Sequence, residues 1–251
     1  MIKVPAVAKI LTVFSLASFC LLSFTGKPVP GEEIITAMHK KWNGRWYENF
    51  AFEQKAIFFK DKKVVKEEVW QEILTSPGKL HIRFNGFETG NGAIYNNDSV
   101  YQYKSGVLQG KRRETNFLAL LGFDVYFYKP QETLNRLKEM GFDLTKSYKT
   151  SFKNTPVIVV GTNDPSDLTS SQFWVDTKRF LVLRAVKNTA GQVRDVHFNN
   201  YQQIEKNWVA TEMVFTNGTD TVFVEEYFNM KFPKKVANST YDPARFKEAK
   251  W

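Results

Sequence analysis

The side chains best suited to catalysis or metal binding are few in this chain and lie far apart. Its three histidines are His39, His81 and His197, and its one cysteine is Cys20. A zinc site gathers His, Cys or carboxylate ligands at short spacings such as His-Glu-x-x-His, and none of these histidines has such a neighbour. Asp164 and Asp167, in Thr162-Asn163-Asp164-Pro165-Ser166-Asp167, could open a cation loop. The further oxygen ligands of a calcium loop are missing, so a plain loop is expected. Glu67-Glu68 and Glu225-Glu226 pair carboxylates, but neighbours along a strand point to opposite faces, a poor geometry for shared acid–base work. There is no Gly-x-Ser-x-Gly elbow, Walker loop or glycine-rich dinucleotide turn. Tyr101 to Arg113 interleaves aromatic and basic residues as a base-stacking surface would, and a half-exposed strand produces the same pattern. The expectation is a non-catalytic protein with no cofactor, no metal and no nucleic-acid partner.

If chemistry is absent, the apolar residues must carry the function. They make up 43% of the 251 residues, enough for one large core, and aromatics reach 15% with 22 phenylalanines, an excess that favours strands. At the amino end, Lys3 and Lys9 precede or begin an uncharged apolar run over 10–22, followed by Ser23, Thr25, Gly26 and the turn-forming Pro28-Val29-Pro30-Gly31. This reads as a secretory signal over 1–25 ahead of a mature domain over 26–251, because the run is shorter than the ~20 residues a membrane span needs. The alternative is a lipid anchor on Cys20, which calls for a small residue just before the cysteine and a leucine three before it; Phe19 and Ala17 stand there. Cleavage would leave no cysteine and hence no disulfide in an exported, periplasmic protein. Of the formal charge of +9, two units come from Lys3 and Lys9, and a basic exported surface suits anionic lipid head groups or acidic partners.

Periodicity supplies the elements. Ile34, Ile35, Met38 and Trp42 predict an amphipathic helix over 31–42, and Leu134, Leu137 and Met140 predict another over 130–140, opened by Pro130 and ended by Gly141. Strands are expected over 50–60 and 64–74 around Asp61-Lys62-Lys63, over 80–84, and over 94–95 and 100–101 around Asn96-Asn97-Asp98. Further strands are expected at 144–153, 157–161, 172–176, 180–187, 194–201, 207–216 and 219–232, the last two joined at Asn217-Gly218. Short turns and few helices imply an antiparallel meander. Alternation puts Leu80, Ile82 and Phe84 on a buried face with His81 and Arg83 on a wet one. It likewise puts Val65, Val69 and Ile73 on one face of the second strand opposite Lys66, Glu68, Trp70 and Glu72, and Val222, Val224, Phe228, Met230 and Phe232 together on the last strand.

The order of these motifs resembles the LolA-like periplasmic lipoprotein-carrier superfamily over roughly residues 32–232. Phe52-Glu53-Gln54 is similar to that family's first-strand Phe-x-Gln, and Ser76-Pro77-Gly78-Lys79-Leu80 to its Pro-Gly-Lys strand start. Asn97-Asp98-Ser99-Val100-Tyr101-Gln102-Tyr103 resembles its Asp-Gly hairpin, Thr115-Asn116-Phe117-Leu118 the opening of its inner helix, and Gln172-Phe173-Trp174-Val175-Asp176 a later hairpin. The resemblance implies a mainly β fold, a single antiparallel half-barrel with short helices on its concave face around an apolar cavity for acyl chains. It also implies a monomeric carrier or binder of lipidated or acylated cargo, whose partners are acyl chains of lipoproteins or lipids and membrane-bound donor or acceptor proteins. A non-transporting envelope sensor or protein-binding module on the same fold is the alternative. The family's carriers have an arginine before the strand-opening proline, where it helps hold a lid shut; this chain has Ser76. The residues expected to line the cavity are Phe52, Val69, Ile73, Leu80, Ile82, Phe84, Phe117, Leu121, Val222, Val224 and Phe228.

Overall fold

A computed structural model describes residues 29–251; the expected signal segment and Cys20 lie outside the described residues. Helix α1 (Gly31–Trp42) precedes six strands: β1 (Asn49–Lys60), β2 (Lys63–Thr75), β3 (Lys79–Phe84), β4 (Gly92–Asn96), β5 (Ser99–Lys104) and β6 (Val107–Arg113). Helices α2 (Phe117–Gly122) and α3 (Pro130–Glu139) follow. Seven more strands complete the sheet: β7 (Ser147–Phe152), β8 (Thr155–Val160), β9 (Gln172–Asp176), β10 (Val182–Thr189), β11 (Gln192–Ile204), β12 (Asn207–Asn217) and β13 (Asp220–Lys231). They form one open antiparallel sheet of thirteen strands in the order β6-β5-β4-β3-β2-β1-β13-β12-β11-β10-β9-β8-β7. This is the antiparallel meander the strand pattern implied, in the half-barrel form the family resemblance implied.

The sheet consists of two meanders joined where β13 pairs with β1. Each hairpin follows from its turn residues. Asp61 and Lys62 both adopt positive φ (51° and 62°), as a two-residue turn matched to strand twist requires. The chain runs from the β6 edge to the β7 edge through α2 and α3, which places these helices on the inner face. There Ile34, Ile35 and Met38 of α1, Leu120 and Leu121 of α2 and Leu134 and Leu137 of α3 share a core with Phe50, Phe173, Val182 and Val196 of the sheet. Edge strand β6 is exposed throughout, and its Lys111, Arg112 and Arg113 discourage strand addition.

The outer face carries two smaller cores. One, on β8–β10, groups Val157, Val159, Trp174 and Leu183. Beside Trp174, Arg184 forms a buried two-pronged ion pair with Asp195 at 2.9 and 2.6 Å. The other lies under the carboxy-terminal segment after β13, whose 3₁₀ turns Asn238–Tyr241 and Pro243–Arg245 rest on β3, β4 and β5. Tyr241 and Phe246 cover Ile73, Ile94 and Tyr103, with the rings of Phe246 and Tyr103 stacked at 3.8 Å. His81 Nδ1 meets the Thr240 carbonyl at 2.6 Å and Arg83 donates to the Phe246 carbonyl at 2.7 Å.

Three expectations about faces are corrected here. His81 and Arg83 are not on a wet face; the tail buries both and its carbonyls meet one nitrogen of each, while His81 Nε2 and Arg83 Nε have no partner among the described residues. On β2 the inward residues are Trp70, Glu72 and Leu74, since Phe52 of the inner core stands opposite Glu72. Val65 and Val69 are left exposed on the outer face and Ile73 is buried under the tail. On β13, Tyr227 and Glu225 point inward, whereas Val222 and Phe228 are exposed and Val224 stands opposite Ile57 on the outer face. A bulge with Asn229 at φ 50° then reverses the parity, so Met230 and Phe232 do join the inner core.

Candidate ligand cavity

The inner face closes around a cavity of about 100 Å³. Phe52, Trp70, Leu74, Leu80 and Ile82 of β1–β3 form one wall. Phe198, Trp208, Ala210 and Met213 of β11 and β12 form the opposite wall. The roof is α2, which turns Leu118, Ala119 and Gly122 to the cavity while Phe117, Leu120 and Leu121 anchor it in the core. Its amino end is held by Asn116, whose Oδ1 accepts from the amides of Leu118 (3.0 Å) and Ala119 (3.1 Å), so a six-residue helix is kept in place by one cap and three apolar side chains. Trp46 and Tyr47, stacked with centroids 5.0 Å apart, close one end.

Polar groups in this lining are few; of the two carboxyls, Glu72 is buried and Glu225 half-buried. Glu225 accepts from the Tyr227 hydroxyl at 2.9 Å. Glu72, only 6% exposed, has no hydrogen-bond partner among the described residues although it faces the cavity. Burial pushes the Glu225 carboxyl up to about 7, against the lowering effect of Tyr227 and Gln54. Burial and then the Glu225 charge raise Glu72 well above the ordinary carboxylate range. Gln54, on β1 between these strands, is buried with its amide nitrogen unpartnered.

The residues expected from the sequence divide three ways. Phe52, Leu80 and Ile82 line the cavity, and Phe84 packs on its Trp70 wall at 4.5 Å. Phe117 and Leu121 support the roof from the core side. Val69, Ile73, Val222, Val224 and Phe228 lie on the outer face and do not reach it. Sequence reasoning missed Glu72, Glu225 and the wall from β11 and β12. The available signal was Trp70: a tryptophan sharing a face with Glu72 argues that the face is covered.

Ser76, which stands where the resembling family has its arginine, is buried near Asp124, just after α2. Burial lifts the Asp124 carboxyl to about 7, and the Gly78 amide, the Ser76 hydroxyl and the Arg136 charge offset part of that rise. Arg136 itself is tied to Asp98 and to Glu132, the latter at 3.0 Å. Among the described residues, no three His, Cys, Asp or Glu side chains come together as metal ligands would, and no helix is long and apolar enough to cross a membrane.

No protein-family model and no curated protein sequence matches this chain. Solved structures do. A DUF1329 family protein from Desulfovibrio piger aligns with TM-score 0.56 and 12% identity over 86% of this chain and 97% of its own. A LolA superfamily protein from Nitrosomonas europaea gives 0.56 and 11% over 85% and 98%. An outer membrane lipoprotein-sorting protein domain from Vibrio parahaemolyticus gives 0.55 and 14% over 86% and 98%. At such identities the likeness concerns the fold, and the fold is LolA-like.

Proposed function

We propose that this protein is an exported, non-catalytic carrier or binder that shelters the acyl chain of a lipid or lipidated protein between its sheet and α2. The observation that supports this reading is the cavity itself, walled by aromatic and aliphatic side chains from both meanders and roofed by one short helix. Burying a chain there is worth ~0.8 kcal/mol per methylene. At about 100 Å³ the space is smaller than the ~150 Å³ cavity that admits a benzene ring. An acyl chain therefore enters by displacing α2, whose cap and three apolar anchors are few enough to yield. A periplasmic location and membrane-bound donor or acceptor proteins fit such a role, as does a basic surface facing anionic lipid.

The test is displacement of a fluorescent fatty acid from the purified described domain, 29–251, alongside mass spectrometry of lipids extracted from protein purified without detergent. Wild type should bind the probe. Ala119→Phe, which fills the space from the roof, should weaken binding at least roughly tenfold while the domain stays folded. A folded wild type that binds no apolar probe and carries no lipid would overturn the reading.

A further inference from the structure

An apolar chain does not call for the two carboxyls this cavity contains. Glu72 and Glu225 come from β2 and β13, either side of β1, and both line the space. The strand register sets Glu72 opposite Phe52 and Glu225 opposite Ala56, so that they flank Gln54 on the inner face of β1. Glu225 accepts from the Tyr227 hydroxyl and is also lowered by the nearby Gln54 amide, whose nitrogen makes no hydrogen bond of good geometry, and Glu72, a residue only 6% exposed, has no donor among the described residues. A buried carboxyl without a donor is costly, and native interiors tolerate one mainly where something else is meant to meet it. Beside aliphatic residues, the rest of the lining includes the aromatic side chains of Trp46, Tyr47, Trp70, Trp208 and Tyr227.

We propose that the cavity is selective for a cationic amphiphile, one whose protonated amine is held between Glu72 and Glu225 while its apolar chain lies along Phe52, Leu80 and Ile82. This rests on the cavity reading above and sharpens it by naming the head group. A neutral hydroxyl or amide head would hydrogen-bond to the carboxyls without favouring their ionised form, and a carboxylate or phosphate head would oppose that ionisation by adding like charge at low dielectric. An ammonium alone supplies both N–H donors and the opposite charge, and it gains further from the surrounding aromatic faces. The burial that raises both carboxyls is the cost this ligand relieves.

Three probes of equal chain length, dodecylamine, dodecanol and dodecanoate, separate head from tail. Binding is measured by calorimetry below their micellar concentrations at about pH 8, where a primary amine is still charged. Wild type should bind the amine roughly tenfold or more tightly than the alcohol, and the carboxylate most weakly. In Glu72→Gln/Glu225→Gln the amine should lose that advantage over the alcohol, and a native-like circular dichroism spectrum with a cooperative thermal transition shows that the variant is folded. Equal binding of amine and alcohol to wild type, or an amine preference that survives the double substitution, would overturn the head-group assignment while leaving the acyl cavity standing. If dodecanol does not bind at all, the cavity reading fails and this proposal with it.

Discussion

Replacing Phe246 by alanine should release the carboxy-terminal strap and return His81 to solvent. Phe246 is 2% exposed, stacked on Tyr103 at 3.8 Å, with the Arg83 guanidinium 4.2 Å above its ring and the His81 ring 5.1 Å away. Truncating a phenylalanine so enclosed costs roughly 3–5 kcal/mol. The strap is otherwise held by a short set of hydrogen bonds, from His81, Arg83, Tyr103 and Asn96 to its carbonyls and between Thr75 and the Tyr241 hydroxyl. Because it covers only the outer face of β1–β5, it can detach without opening the inner core, and the loss of global stability is then capped at its own docking free energy. Under the strap, burial holds His81 down to about 4, opposed by its bond to Thr240. A depressed histidine releases its proton on docking, so the strap's contribution is complete above about pH 6.5 and fades as pH falls through about 4. The full difference is worth at most about 3 kcal/mol. NMR titration of the His81 ring reads this directly. In Phe246→Ala the His81 midpoint should move from about 4 toward about 6.5, amides over 238–249 should lose exchange protection, and those of β8–β12 should keep theirs. Adding Tyr241→Ala should then cost much less than it does alone. If His81 stays depressed while the whole domain loses the full 3–5 kcal/mol, the strap is an inseparable part of the fold and this reasoning is wrong.

Asp124→Asn should stabilise the protein near neutral pH. With the native carboxyl raised to about 7, stability falls as pH rises from about 4 toward 7, so the variant should gain up to about 4 kcal/mol at pH 8 and show a shallower slope in urea midpoints. Glu72 and Glu225 titrate in the same direction and will leave part of the slope in place; an unchanged slope would refute the burial of Asp124. Gly92→Ala should destabilise by about 1–3 kcal/mol or more in thermal unfolding, since a Cβ there would sit 2.1 Å from the Ile82 carbonyl oxygen and 3.1 Å from the Phe246 ring. Asn116→Ala should cost about 0.5–2 kcal/mol and, by loosening the roof helix, speed the entry of an apolar probe in stopped-flow binding; an unchanged entry rate would argue against α2 as the gate.

The elements were legible because each rests on local rules. The stripes Ile34-Ile35-Met38 and Leu134-Leu137 specify helices through a 3.6-residue period, and turn residues such as Asp61-Lys62 and Asn217-Gly218 mark where strands reverse. Collinear motifs from Phe52-Glu53-Gln54 to Gln172-Phe173-Trp174 carried the likeness to a half-barrel. For the third strand, Leu80 and Ile82 were placed toward the interior correctly, because only one of its two alternations is apolar.

What a period of two leaves open is which face goes inside. On β2 one alternation contains Val65, Val69 and Ile73 and the other Trp70 and Leu74 with Glu72, so hydrophobicity along the strand does not choose between them. The choice is made by what lies against each face: three helices and the β11–β12 wall on the inner side, a strap nearly two hundred residues downstream of β1 on the outer. The same holds for β13, where a bulge at Asn229 shifts the parity partway along and defeats any fixed alternation. His81 and Arg83 looked solvated because their partners, the carbonyls of Thr240 and Phe246, are backbone groups that side-chain patterning does not register. The Glu72 and Glu225 pair was hidden for a related reason: the carboxyls that line one cavity are 153 positions apart on strands flanking β1, whereas those adjacent in sequence point to opposite faces. Local propensity determines the pieces, and burial, which depends on everything packed around a residue, decides which of them become the site.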